Sequence, residues 1–152
     1  MNASQELTIT RDMPAPPERV FAAWTTPRGI TAWMGPPGVT VTDPIIDARP
    51  GGGFRFELRA PNGEAHIAVG QYREVSPPNR LVFTWSWEGK EPPFCDEMLI
   101  TLTFAAHSDG ATRMTLHQAQ IGSTEARDAH QRGWDGSLTC LAEYLSEGAP
   151  AS

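Results

Sequence analysis

The side chains best suited to binding or acid–base chemistry are His130, Tyr72 and Arg11. His130 precedes Trp134 by one helical turn, so it is placed to orient a ligand or move a proton in a cavity. The alternative is a histidine of the N-terminal turn that lies partly in solvent or bonds a loop carbonyl. Tyr72 lies in a strand pattern that can direct its hydroxyl into the same space. Arg11 has inward parity in its strand, where it either neutralises an acidic ligand or extends its charge past the sheet edge.

Patterns typical of catalysis are missing from the rest of the sequence. The four histidines have neither HxxxH nor HxH spacing, so no metal site is predicted. The glycine run after Arg49 lacks the Lys-Ser/Thr of a phosphate loop and indicates a hairpin turn. Asp47 and Arg49 at this turn predict either a bracing ion pair or a site for a ligand carboxylate. Ser137 has no obvious base beside it, and we predict no catalytic residue and no cofactor.

The octapeptide RLVFTWSW at residues 80–87 gives the strongest structural signal. Its large apolar side chains share one parity, so in a strand they stand on one face. Each Trp or Phe buries roughly 150–250 Å², which requires a helix or a ligand to cover that face. Core packing explains each aromatic residue singly, whereas the set predicts an apolar pocket. The predicted ligand-binding residues are Trp33, Phe56, Tyr72, Phe83, Trp85, Trp87, Met98, His130 and Trp134.

The order of predicted elements indicates how these side chains are positioned. A first strand ends near Pro14 and two short helices follow, the second with Thr26 as its cap and Pro27 at its first position. From about Val39 to Leu116 the alternation of apolar and polar residues predicts six further strands.

A long helix is predicted from a cap at Ser123 to about residue 146. Its apolar stripe contains His130, Trp134, Leu138, Leu141 and Leu145. Gly133 and Gly136 are unfavourable inside a helix, so they indicate either close backbone approach or space left open beside Trp134. These elements predict an α+β fold, a curved antiparallel sheet of about seven strands wrapped on the long helix, with a cavity between them.

Composition narrows the class of protein. The 152 residues fit a single domain, 1–152, with a core of about 6–146, and nothing suggests a linker or repeat. The net charge of −6 and the scattered arginines argue against nucleic acid as a partner. No apolar run is long enough to span a membrane and no signal segment opens the chain, so a cytoplasmic location is expected. The excess of arginine over lysine is typical of a GC-rich bacterial genome.

Four strings carry a resemblance that covers nearly the whole chain, from about Glu6 to Leu145. They are PAPPERVFAAWTTP, DARPGGGFRF, GQYREVSPPNRLVFTW and HQRGWDGSLTCLAEYL, in this order. Together they resemble the Bet v 1-like or START-like (SRPBCC) helix-grip superfamily, and within it the proteins related to the C-terminal domain of the activator of Hsp90 ATPase. The resemblance implies an internal apolar cavity that takes lipids, polyketides, hormones or other small hydrophobic molecules.

We therefore expect noncovalent binding of a small hydrophobic molecule between the sheet and the long helix. One alternative is a cyclase, dehydratase or hydrolase on the same fold that uses His130 or Tyr72 as acid or base. Another is an Hsp90-type chaperone module, which is not favoured because the eukaryotic activators that the chain resembles carry a further N-terminal domain. A homodimer through an exposed edge strand is also possible.

Overall fold

The computed structural model describes residues 5–35, 37–89 and 97–147. The strands are β1 Gln5–Met13, β2 Thr40–Ile46, β3 Gly53–Arg59, β4 Ala65–Ser76, β5 Arg80–Trp87, β6 Met98–Ala106 and β7 Thr112–Ile121. The helices are α1 Pro17–Thr25, α2 Pro27–Trp33 and α3 Thr124–Glu147.

All seven strands form one antiparallel sheet in the order β1-β7-β6-β5-β4-β3-β2. Alternation along the strands sets the concave face: in β3, Phe54, Phe56 and Leu58 are buried, while Arg55 and Arg59 are exposed. The sheet wraps around α3, and the two short helices follow β1. The predicted α+β helix-grip architecture is confirmed.

Helix α3 covers the concave face with the stripe that the sequence predicts. His130, Trp134, Leu138, Leu141 and Leu145 are all buried. The Ser123 hydroxyl accepts a hydrogen bond from the Ala126 amide at 3.1 Å, which caps the helix at the predicted residue.

Helices α1 and α2 pack closely because of a glycine at their junction. Thr26 caps α2 by accepting the Gly29 amide at 3.0 Å, as the Thr-Pro pair predicts. A β-carbon on Gly29 would lie 2.6 Å from the carbonyl oxygen of Ala23. That carbonyl also accepts the Trp33 indole N–H at 2.8 Å, which ties the end of α2 to α1.

Both edge strands carry features that oppose pairing with a further strand. Strand β2 contains Pro44 and a register shift between Thr42 and Ile45. At the other edge, Arg127 of α3 donates to the carbonyl of Glu6 in β1 at 2.8 Å. In the described ranges, no helix is long and apolar enough to cross a membrane.

We expect Gly29→Ala to lower the free energy of unfolding by about 1–3 kcal/mol, because its β-carbon overlaps the α1 backbone. Gly133→Ala in α3 is the matched control: outside its neighbours and the backbone of α3, no described atom lies within 4 Å of its added carbon, so the better helix former is expected to stabilise by up to ~1 kcal/mol. Urea unfolding of both variants measures the difference. Equal effects would contradict the close approach of α1 and α2.

Candidate functional site

A cavity of about 410 Å³ lies between the sheet and α3. Its walls come from the two residues that follow α2, from β3, β4 and β5, and from one side of α3. The lining residues are Met34, Gly35, Leu58, His66, Trp85, Trp87, Ala129, His130, Gly133, Trp134 and Ser137.

The space exists because α3 presents small side chains next to its large ones. Ala129, Gly133 and Ser137 follow one another at intervals of four residues, so they lie in a row along the helix. Apart from its chain neighbours and the backbone of α3 itself, no atom of the described residues comes within 4 Å of where a β-carbon of Gly133 would stand. Of the two explanations offered by the sequence for this glycine, open space is therefore correct.

Trp134 holds the helix away from the sheet at one side of the cavity. Its indole packs against Trp24 and Trp85, with ring centroids 5.7 and 5.5 Å away. Its N–H donates to the Gln118 side-chain oxygen at 2.7 Å, and the Gln118 amide in turn donates to the Met98 sulfur at 3.0 Å. The ring is therefore fixed in position as well as buried.

The sequence pattern contained an indication of Gln118 that was not used to predict it as a site residue. In β7, Met114 and Leu116 have the inward parity, and Gln118 continues it as a polar residue with no exposed surface. A buried amide needs partners inside the core, and here these are Trp134 and Met98.

His130 and Trp87 form a hydrogen-bonded pair on the cavity wall. The Trp87 indole N–H donates to His130 Nε2 at 2.9 Å, so Nδ1 carries the proton and donates to the Ala126 carbonyl at 2.7 Å. The two rings also stack, with centroids 6.1 Å apart. Burial lowers the pKa of His130, and the Ala126 hydrogen bond only partly opposes this. The imidazole is thus held neutral, in one tautomer.

Four of the nine predicted ligand-binding residues line this cavity: Trp85, Trp87, His130 and Trp134. Phe56, Tyr72 and Phe83 line a separate space of about 10 Å³, enough for one water. Burial, followed by the charge of Asp47, raises the pKa of the Tyr72 hydroxyl, so it stays protonated. Trp33 and Met98 are buried elsewhere in the core.

The arginines among the candidate residues each form an ion pair with an aspartate, and none of these residues lines the cavity. Arg11 contacts Asp135 of α3 at 2.9 Å, and Arg49 contacts Asp47 at 3.0 Å, the bracing ion pair that was one of the two expectations. Among the described lining residues none is Asp, Glu, Lys or Arg. The described residues also contain no group of three or more His, Cys, Asp or Glu that could hold a metal ion.

The fold and this cavity define a helix-grip domain, a class that supports ligand binding in general. The model of the activator of Hsp90 ATPase homolog 1-like protein family matches residues 14–146, and the chain belongs to this family. Comparison with curated proteins finds no significant match.

Solved structures agree with this assignment. A Chromobacterium violaceum protein is 30% identical with a TM-score of 0.83, over 92% of this chain and 96% of that one. The AHSA1 protein of Silicibacter pomeroyi is 27% identical with a TM-score of 0.81, over 93% of this chain and 98% of that one. A Rhodobacter sphaeroides protein is 25% identical with a TM-score of 0.78, over 94% and 93%.

The Trp134–Gln118 hydrogen bond is expected to couple the two residues. Gln118→Leu should lower the free energy of unfolding by about 1–3 kcal/mol, because it leaves the Trp134 N–H buried and unpaired. In a Trp134→Phe background the same change should cost less, since that donor is gone. A double-mutant cycle by urea unfolding measures the coupling. Strict additivity would show that the hydrogen bond contributes nothing.

Neutral, buried His130 predicts a loss of stability in mild acid. The pKa of His130 in the folded protein lies below 6.5, its ordinary value in the unfolded chain. Between these two pKa values the unfolded chain binds more protons than the folded protein. The free energy of unfolding therefore falls as the pH drops below about 6.5. His130→Gln should make this dependence shallower. Urea unfolding from pH 7.5 to 5 compares the slopes. Asp12, Glu74 and Glu88, whose pKa values are also lowered, are present in both proteins, so their contribution to the slope cancels in the comparison. Identical slopes would contradict the neutral histidine.

Proposed function

We propose that this protein binds an uncharged, largely aromatic small molecule noncovalently in the cavity between the sheet and α3. The observation that carries the proposal is the cavity itself, about 410 Å³ beside three tryptophans, with one wall kept open by Gly133. Ligand pockets are typically about 300–1,000 Å³ and mostly apolar, with few polar groups. This cavity meets both criteria.

The aromatic preference follows from the geometry of the wall. Trp85 stands edge-on to both Trp87 and Trp134, at centroid distances of 5.4 and 5.5 Å, so faces and edges of indole rings surround one space. Flat rings pack against such surfaces in offset or edge-to-face contacts worth about 0.5–1.5 kcal/mol beyond area burial.

The preference for an uncharged ligand follows from the electrostatics. Arg11, the residue that the sequence offered to neutralise an acidic ligand, forms an ion pair with Asp135. No described lining residue carries a permanent charge. Moving an ion from water into such surroundings is costly without an opposite charge.

Binding rather than turnover fits the state of His130. An acid–base catalyst needs a ring nitrogen available to the substrate, and here Nε2 accepts from Trp87 while Nδ1 bonds the Ala126 carbonyl. Burial raises the pKa of the Tyr72 hydroxyl, which makes it a weaker acid than usual. Tyr72 also does not line the cavity between the sheet and α3.

Filling the cavity from α3 tests the proposal. The uncharged fluorescent probe N-phenyl-1-naphthylamine is expected to bind the wild-type protein, and Gly133→Leu to weaken binding at least about 10-fold, because the new side chain occupies the probe's space. Fluorescence titration gives the dissociation constants, and circular dichroism checks the fold.

Arg132→Leu is the matched control, since it adds the same side chain to an exposed position one residue away. It should bind the probe like the wild type, as should Gly133→Ala. Probe binding that is unchanged in Gly133→Leu, or absent from the wild type, would refute the proposed function.

A further inference from the structure

Ser137 is a buried polar residue whose side chain takes no part in the hydrogen bonds of the described core. It is 4% exposed and lines the cavity. Its hydroxyl makes no hydrogen bond to the described parts of the chain, although Thr139, two residues later, bonds the carbonyl of Asp135 at 3.0 Å. A hydroxyl in such surroundings needs a hydrogen-bond partner, and for Ser137 this partner comes from the cavity side, as water or as a ligand group.

The other polar groups on the wall are already engaged. The Trp87 indole donates to His130, and the Trp134 indole donates to Gln118. His66 Nε2 lies 3.3 Å from a Glu64 oxygen. The Trp85 N–H is unpartnered, but it is sealed in the packing with no accessible surface. The Ser137 oxygen is not among these sealed atoms, so it is open to the cavity.

We propose that Ser137 is a specificity residue, which hydrogen-bonds a hydroxyl or carbonyl oxygen on the ligand. This inference rests on the proposed function and narrows it to uncharged aromatic molecules with a polar oxygen on the part that reaches Ser137. Ser137 follows the partly exposed Ala129 by two helical turns, about 12 Å along α3. The ligand's rings occupy the tryptophan-lined space between, and its oxygen lies against the helix.

The role of Ser137 is binding and not nucleophilic attack. A serine nucleophile requires a base within hydrogen-bonding distance, and no described histidine or carboxylate is bonded to its hydroxyl. Its hydroxyl is free to donate to a carbonyl or to accept from a ligand hydroxyl.

Competition between two aromatic compounds tests the inference. 2-Naphthol and naphthalene differ by one hydroxyl, and each is expected to displace N-phenyl-1-naphthylamine from the wild-type protein. We expect 2-naphthol to bind about 2- to 10-fold more tightly, the range of one hydrogen bond. Ser137→Ala should bring the ratio close to one through weaker binding of 2-naphthol, with naphthalene binding kept.

Ser146→Ala is the matched control, an exposed serine in the same helix, and it should keep the wild-type ratio. The inference is overturned if Ser137→Ala leaves the ratio unchanged, or if neither compound displaces the probe. 2-Naphthoate has the same rings and carries a negative charge. If it competes as strongly as 2-naphthol, the proposed restriction to uncharged ligands is wrong. Failure of the proposed function is distinct, because there the probe does not bind the wild type or Gly133→Leu leaves its binding intact.

Discussion

The buried indole of Trp134 sets the spacing between α3 and the sheet, and the rest of the site depends on it. The ring contacts Trp24 of α1 and Trp85 of β5, and a 2.7 Å hydrogen bond to Gln118 of β7 fixes its orientation. A large rigid side chain at this position prevents the helix from closing on the sheet. The small residues beside it on the same helix then leave space that no neighbour fills.

The concave face is consequently divided into a packed part and an open part. Towards the C-terminal end of α3, Leu138, Leu141 and Leu145 have almost no exposed surface and pack in the core. Towards its N-terminal end, Ala129 and Gly133 face the cavity together with the Trp87–His130 pair. The packed core and the cavity thus lie mainly along different turns of one helix, with Trp134 contributing to both.

Polar and charged groups at this apolar face are mostly paired with other residues of the protein. Gln118 and His130 are buried, and each has its hydrogen bonds satisfied by a tryptophan and a neighbour in the core, which orients the aromatic wall. Charged residues such as Arg11 and Asp135 pair with each other outside the cavity. Ser137 differs from both groups because it lines the cavity and its hydroxyl has no partner in the described chain.

Local sequence determined most of the fold. Alternating parity in strands such as β3, the Thr26-Pro27 start of α2 and the apolar stripe of α3 are short-range patterns. Each formed where predicted because backbone geometry alone fixes which side chains share a face. Which aromatic residues border open space was decided only by the tertiary structure. Phe56 and Phe83 have the same inward parity as Trp85, yet they pack beside the smaller space, since the distance between sheet and helix depends on residues far apart in the chain. The pairing of Trp87 with His130, 43 residues away, and the open space at Gly133 are set by the same long-range packing.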